Sequence, residues 1–384
     1  MKDSSTTLNT SEAQDMEQSA VSVELADAIQ PDLFAVDTVS DWPVKDDVSS
    51  MEYPIFSLSK NHDTRIRHYS RGGKVVRVIP SAYGAATVFD KDILIYCISQ
   101  IVKALEKVVK ELEAGDIELP RLTANQFDAI ARNINMSSHM RELAHGVLVA
   151  GRPLDEVAAQ SQTTRHRVCV AVAHAIGRVS RRVRIDVHPF LVGTRRSTGG
   201  AAYERVVDMC RRLKGTTIET NVKTTEEEGT EGFGLIEDYK VTTWTKNEKG
   251  ALQLEMTISE WLYRAATEFD ILTLHPDYFS LGQALERRLY ELARKHCGDK
   301  AWWEINLPLL QEKTGSAQTA RRFKQDLKDI VARDTLPDYR IGLDESVRPN
   351  KVVFITRDNA KLLLEANRQG RLAWISQFLQ QKLA

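Results

Sequence analysis

Two stretches of the chain run through the same order of patterns, and that duplication limits the fold more than any other feature. In the first, Val183-Arg184-Ile185-Asp186-Val187 alternates like a strand, and a short helical segment around Pro189-Phe190-Leu191 follows. A basic turn, Arg195-Arg196-Ser197-Thr198-Gly199-Gly200, leads to a helix with Tyr203, Val206, Val207, Met209 and Leu213 on one face. Residues 216–222 and 233–244 then read as two strands around an exposed Thr/Glu loop. In the second stretch, residues 285–296 are helical, 302–305 form a short strand, and 307–313 form a helix before the turn Gly315-Ser316. Residues 318–331 make an amphipathic helix through Phe323, Leu327 and Ile330. Residues 339–343 and 351–355 are strands around Arg348-Pro349-Asn350. Strand, helix, turn, helix and hairpin in that order describe a winged helix. The expected class is therefore α+β, with tandem winged-helix domains that meet successive major-groove segments.

The rest of the chain divides around these two stretches. Residues 1–50 are acidic, rich in Ser, Thr and Ala and poor in aromatics, which predicts a disordered tail broken by one apolar island, Leu33-Phe34. Val75 to Ile79 reads as a strand closed by Pro80, and Asp90 as the cap of a long apolar-periodic helix that fades near Gly115. Residues 121–180 read as purely helical: Thr123-Ala124-Asn125-Gln126 resembles a capping box, Ser137-Ser138 can cap the next helix, and Pro153 suits a first helical turn. The break Ser161-Gln162-Thr163 between two short helices predicts an all-α helix-turn-helix module. The expected domains are a tail at 1–50 and a discontinuous first winged helix at 51–115 and 183–258. The inserted module occupies 116–182, the second winged helix 259–358 and a helical tail 359–384.

Charge suggests the partner. Residues 1–50 carry a net charge of −9, so the remainder must be about +8 to reach the formal −1; residues 160–214 alone carry +9. A basic body behind an acidic tail points to a polyanion, and with winged helices to double-stranded DNA. The candidate contacts in the inserted module are Arg165, His166 and Arg167. In the first winged helix they are Arg195, Arg196, Ser197, Arg205 and Arg211, placed to meet backbone phosphates. In the second they are Ser316, Gln318, Arg321, Arg322, Gln325 and Lys328, opposite the apolar stripe, with Arg348 in the wing.

Other classes are disfavoured by what is missing. The four cysteines are scattered without a CxxC pair, which argues for reduced thiols and against a zinc site. No apolar run spans a bilayer, and no basic segment followed by an apolar one marks export, so the cytoplasm is expected. A nicking enzyme would want a tyrosine near a His-rich metal site, yet no HxH spacing occurs among the nine histidines. There is no GxxxxGK[ST] loop. No catalytic constellation, metal site or cofactor is expected, and a relaxase or resolvase is disfavoured.

Several blocks resemble the replication initiator protein A family of bacterial plasmids: residues 89–94, 198–205, 232–236, 285–295 and 336–340. The resemblance runs over about 51–112 and 183–357. It implies tandem winged helices that bind repeated origin sequences, open the duplex and recruit host replication proteins. Interval 113–182 departs from that pattern and is similar instead to helix-turn-helix repressors of the TrfB/KorA type. Leu122-Thr123, Gln126-Phe127, residues 144–149 with Gly151, and Thr164-Arg165 with Val168 carry that likeness; Val170 stands where those repressors have a polar residue. In the tail, Gln30-Pro31-Asp32-Leu33-Phe34 resembles the Q-x-[SD]-L-F peptide that docks replication proteins on the polymerase sliding clamp, through Gln30, Leu33 and Phe34. The implied partners are origin DNA, the host sliding clamp and helicase machinery, and a second copy of the chain in a homodimer. The competing function is a plasmid transcriptional repressor bound to an operator palindrome.

Overall fold

The computed structural model describes residues 44–59, 62–134, 136–177, 179–221, 229–243, 252–268 and 270–380. The described chain forms two compact units, residues 103–180 and the combination of 44–102 with 181–380. Residues 1–43 of the expected tail, with its Leu33-Phe34 island, lie outside the described residues. Its last residues, read as disordered, are instead ordered, because 45–47 pair with 271–273 and Asp46, Asp47 and Ser50 are buried. No described helix is long and apolar enough to cross a membrane.

The smaller unit is helical. After the long helix α2 (Lys91–Ala114) come α3 (Ala124–Asn133), α4 (Ser138–Leu148), α5 (Leu154–Gln160) and α6 (Arg165–Ala175). Thr123 and Gln126 close the capping box reciprocally at the start of α3. Phe127, Leu143, Leu148, Val168 and Val172 are buried. The chain turns from α5 to α6 through Gln162, whose φ of +48° reverses it in the left-handed region. Thr164 then caps α6 by accepting from the Arg167 N–H at 3.3 Å.

The larger unit holds both repeated stretches. The first begins with β4 (Arg182–Asp186), α7 (Val187–Gly193) and α8 (Gly200–Gly215), and ends with the hairpin β7 (Ile236–Thr243) and β8 (Leu252–Ile258). The second is β10 (Trp302–Asn306), α11 (Leu307–Thr314), α12 (Ala320–Arg333), β11 (Tyr339–Asp344) and β12 (Lys351–Thr356). In each, the opening strand pairs antiparallel with the last strand of the hairpin: Val183 opposite Met256, and Glu304 opposite Val353. The two sheets have the same order, β4-β8-β7 and β10-β12-β11. Phe323, Leu327 and Ile330 of α12 are buried as their spacing predicts.

One hairpin falls elsewhere. The sequence reads 216–222 and 233–244 as the strands of the first hairpin, but β5 (Thr217–Thr220) and β6 (Glu231–Gly234) join a different sheet. That sheet contains β2 (Arg67–Arg71) and β3 (Lys74–Ile79), in the order β2-β3-β5-β6. The cause is local. Ile218 and Thr220 are buried opposite Val78 and Val76, so 217–220 already has a partner. The chain then changes sheets at Gly234 and buried Leu235. A Cβ on Gly234 would lie 3.1 Å from the Ile236 carbonyl oxygen, so a glycine eases that bend. What reads as one strand over 233–244 is two.

The elements packed around the helix that precedes the second stretch are held by buried ions. A short strand, β1 (Lys45–Asp47), pairs with β9 (Ile271–Thr273), and α1 (Val48–Glu52) lies against α10 (Ala284–Cys297). There Lys91 Nζ sits 2.5 Å from Asp46 Oδ2 and 3.2 Å from Glu291 Oε1, with all three side chains at most 2% exposed. Arg288 Nη1 reaches Glu291 Oε2 at 3.1 Å, and the Tyr278 hydroxyl donates to Glu291 at 2.8 Å. Burial pushes the Asp46 carboxyl up. Burial acts on Glu291 in the same sense, yet the Lys91 ammonium and the Arg288 guanidinium hold it below the ordinary carboxylate value. Lys91→Ala leaves buried Asp46 without its cation and Glu291 with Arg288 alone, and the expected loss is about 3–5 kcal/mol in urea-induced unfolding. A loss within the range of surface substitutions, about 0.5 kcal/mol, would show that the network contributes little.

Candidate nucleic-acid interface

The second helix of each repeated stretch presents one face to the core and the other to solvent. On α8 the buried face is Ala202, Val206, Met209, Cys210 and Leu213, which leaves Arg205, Arg211 and Lys214 exposed. Arg205 donates to Ser197 Oγ at 3.0 Å, and Arg211 pairs with Asp208 at 2.9 Å while lying over the exposed Tyr83 ring. The turn before α8 behaves differently from its sequence reading. Arg195 has a φ of +55° and its Nη2 lies 2.5 Å from Asp277. The Arg196 guanidinium donates to the Phe89 carbonyl and to Asp92, both at 2.6 Å, and its side chain is only 22% exposed. Arg196 is therefore turned into the protein. Arg212, not singled out from the sequence, grips Asp90 with two 2.7 Å bonds. Asp90 precedes α2 as expected, but its carboxylate serves Arg212 and the Thr87 N–H.

On α12 the solvent side divides into three stripes. Arg322 (3.0 Å from Asp326), Asp326 and Arg333 face a broad cleft of about 1100 Å³ whose other wall carries Arg65, His68 and Tyr69. Lys324 and Lys328 turn to the hairpin tip, where both grasp Glu345, at 2.6 and 2.8 Å. Hydrogen bonds from these two ammonium groups pull the Glu345 carboxyl down to about 2. Arg321 and Gln325 point outward. Gln325 bonds Asp329 at 2.9 Å, and Arg321 is exposed with no ion-pair partner among the described residues. Gln318 reaches Asp326 at 2.7 Å, with Ser316 beside it in the turn. Arg348 folds onto its own loop, on the Glu345 carbonyl and Asn350 Oδ1. Gly315, with φ +72°, starts the turn. A Cβ there would lie 2.6 Å from Pro54 and 3.1 Å from the Tyr69 hydroxyl, so conformation and space both require glycine.

In the smaller unit, Arg165 pairs with Asp155 at 2.6 Å and donates to the Glu113 carbonyl at 3.0 Å. His166 lies 3.3 Å from Glu113, and Arg167 is exposed. From Val168 to Ala175 the helix is buried, so these three residues are its accessible part. All candidate residues except Gln30, Leu33 and Phe34, which lie outside the described residues, are thus placed on the second helices, their turns and one hairpin tip. The sequence reading passed over the interleaved acids Asp326, Asp329 and Glu345. The spacing of Asp326 and Asp329 four residues after Arg322 and Gln325 on a 3.6-residue helix could have revealed those two, whereas Glu345 comes from the hairpin tip and no helical spacing marks it.

Among the described residues no cluster of three His, Cys, Asp or Glu could hold a metal ion, and all four cysteines are free and buried.

The chain is similar over 311 residues, 81% of its length, to a protein of Wigglesworthia glossinidia brevipalpis named "Putative replication protein", at 30% identity and with 88% of that protein covered. Two crystal structures of domains 2 and 3 of RctB align with 80% of the chain, at TM-scores of 0.47 and 0.41 and identities of 9% and 12%; 98% and 97% of those chains are covered. Both scores lie below 0.5, so the family assignment stands on sequence alone. The family described as Replication initiator protein A matches residues 45–146 and 161–341. That pattern extends through much of the interval read from sequence as an addition to it, and only 147–160 falls between the matched stretches. The chain belongs to the replication initiator protein A family.

Proposed function

We propose that this chain initiates plasmid DNA replication by binding repeated origin sequences through two winged helices, without catalysing a reaction itself. The observation that carries the reading is the repeated β-α-α-β-β arrangement, which twice sets a cation-bearing second helix beside a hairpin. In a winged helix that second helix enters the major groove and the hairpin lies along the backbone. On α12, Arg321 and Gln325 point outward, and an arginine can read guanine through two bonds. Arg205, Arg211 and Lys214 of α8 suit phosphate contacts, which position more than they specify. The α5–α6 pair supplies a third, weaker contact through Arg165, His166 and Arg167. The acidic tail would recruit the host clamp through Gln30, Leu33 and Phe34, since an adjacent Leu-Phe pair with no core of its own can fill an apolar pocket on a partner. The host helicase and a second copy of the chain are the further partners of this reading, which places the protein in the cytoplasm.

Footprinting on the parent plasmid distinguishes initiator from repressor: tandem repeats beside an AT-rich stretch support the first, and a lone promoter palindrome the second. On the protected fragment, Arg321→Ala is expected to cost about 1–3 kcal/mol of specific binding and little on random DNA. Equal loss on both would make the contact a phosphate contact. Glu345→Gln frees Lys324 and Lys328, so its affinity should fall more steeply with salt, by up to about 0.9 in log–log slope for each added phosphate contact. An unchanged slope would place the hairpin tip away from DNA. In a pull-down with purified clamp, Leu33→Ala/Phe34→Ala should abolish retention; retention equal to the wild type discards the tail motif.

A further inference from the structure

The turns that present α8 and α12 are connected through the interior by guanidinium contacts that meet on two adjacent residues of α10, Arg287 and Arg288. Arg196, in the turn before α8, donates to Asp92 Oδ2 at 2.6 Å. The other oxygen of Asp92 accepts from Arg287 Nη1 at 2.5 Å. The next residue of α10, Arg288, donates through Nε and Nη2 to the Lys313 carbonyl, at 3.2 and 2.9 Å. That carbonyl is at the end of α11, two residues before Gly315 opens the turn to α12. Asp92 is wholly buried, and Arg287 and Arg288 are 3% and 2% exposed. Beside Arg196, Arg195 adds a second tie to Asp277, in the 3-10 turn (Pro276–Ser280) that leads to α10.

Such contacts resist distortion. An exposed ion pair exchanges for water at little cost. Parting a buried one leaves a charge out of water with nothing opposite it. Because Asp92 uses one oxygen for each guanidinium, its planar carboxylate sets the direction of both partners.

We propose that the Arg196–Asp92–Arg287 clasp, continued by Arg288 to the Lys313 carbonyl, fixes the distance and rotation between the two DNA-reading helices. The spacing of the two DNA segments is then itself a recognised feature of the site. The inference rests on the reading above that both helices enter DNA. The clasp residues are positioning residues and touch no base. Two helices in fixed relation can meet two groove segments in one phase only, because the groove returns to the same face every 10–10.5 base pairs or so. Two helices on a flexible tether would accept a range of spacings.

The test uses the full chain and the fragment that it protects in a footprint, with about 2, 5 or 10 base pairs, up to one helical turn, inserted between the two protected segments. Wild-type affinity should fall about tenfold for each base contact that an insertion forfeits, without recovery at the full turn. Asp92→Asn and Arg196→Gln should bind the unaltered fragment more weakly, yet vary across the series by no more than about threefold, as a loose tether would allow. Arg196→Gln is the more permissive change, because Arg196 lies at the partly exposed end, and it carries the test if Asp92→Asn does not fold. A merely structural role would lower all affinities together and keep the wild-type profile. That result, or a wild type indifferent to spacing, overturns the clasp. A wild type that binds no fragment specifically removes the DNA-reading proposal, and the clasp with it.

Discussion

The larger unit depends on a lysine that water does not reach. Lys91 lies between Asp46 and Glu291, and Glu291 is shared with Arg288 and the Tyr278 hydroxyl. Taking these charges out of water costs several kcal/mol for each ion, recovered only when every charge finds a partner at close range. The arrangement is thus selective more than stabilising. β1, the start of α2, the 3-10 turn and α10 must all be in register before the charges balance, and a misplaced element leaves one of them unanswered. An apolar joint of the same volume would tolerate sliding between these elements.

The repeated order was legible because it depends on periodicity. Phe323, Leu327 and Ile330 define a helical face whatever surrounds them, and strands 339–343 and 351–355 alternate or run apolar between clear turns. The first hairpin was misread because strand character does not say which sheet a strand joins. Residues 217–220 and 236–243 look alike, and only contact with Val76 and Val78, about 140 positions away, separates them. The ionic joint was illegible for a related reason. The pattern over 285–295 says only that the segment is helical, yet the charged Glu286, Arg287, Arg288 and Glu291 are all buried. Arg287, Arg288 and Glu291 find partners at residues 50, 91, 92 and 313, which no local pattern connects to them.

The same limit applies to the surface. Composition marks 160–214 as strongly basic, but Arg196 and Arg212 spend their charge on Asp92 and Asp90 inside the protein. On α12 the reverse holds: the cations are outward as expected, while Asp326 and Glu345 temper Arg322, Lys324 and Lys328 and leave Arg321 unmatched among the described residues. Net charge therefore overstates how much of the basic surface is available to a polyanion, and a single exposed arginine with free geometry counts for more than several held ones.

The small strand β1 has a consequence for how the chain reaches this structure. Lys45 to Asp47 pairs with Ile271 to Thr273, Arg288 donates to the Ser50 carbonyl, and Pro54 and Tyr69 close over Gly315. In each case a residue made early in synthesis is the bed for one made more than 200 positions later. Closing such loops costs chain entropy before any contact rewards it, and folding slows as sequence separation grows. The early segment must wait, its apolar and charged groups uncovered, until α10 and the turn at Gly315 have emerged from the ribosome. The second repeated stretch is thus completed by residues that precede the first.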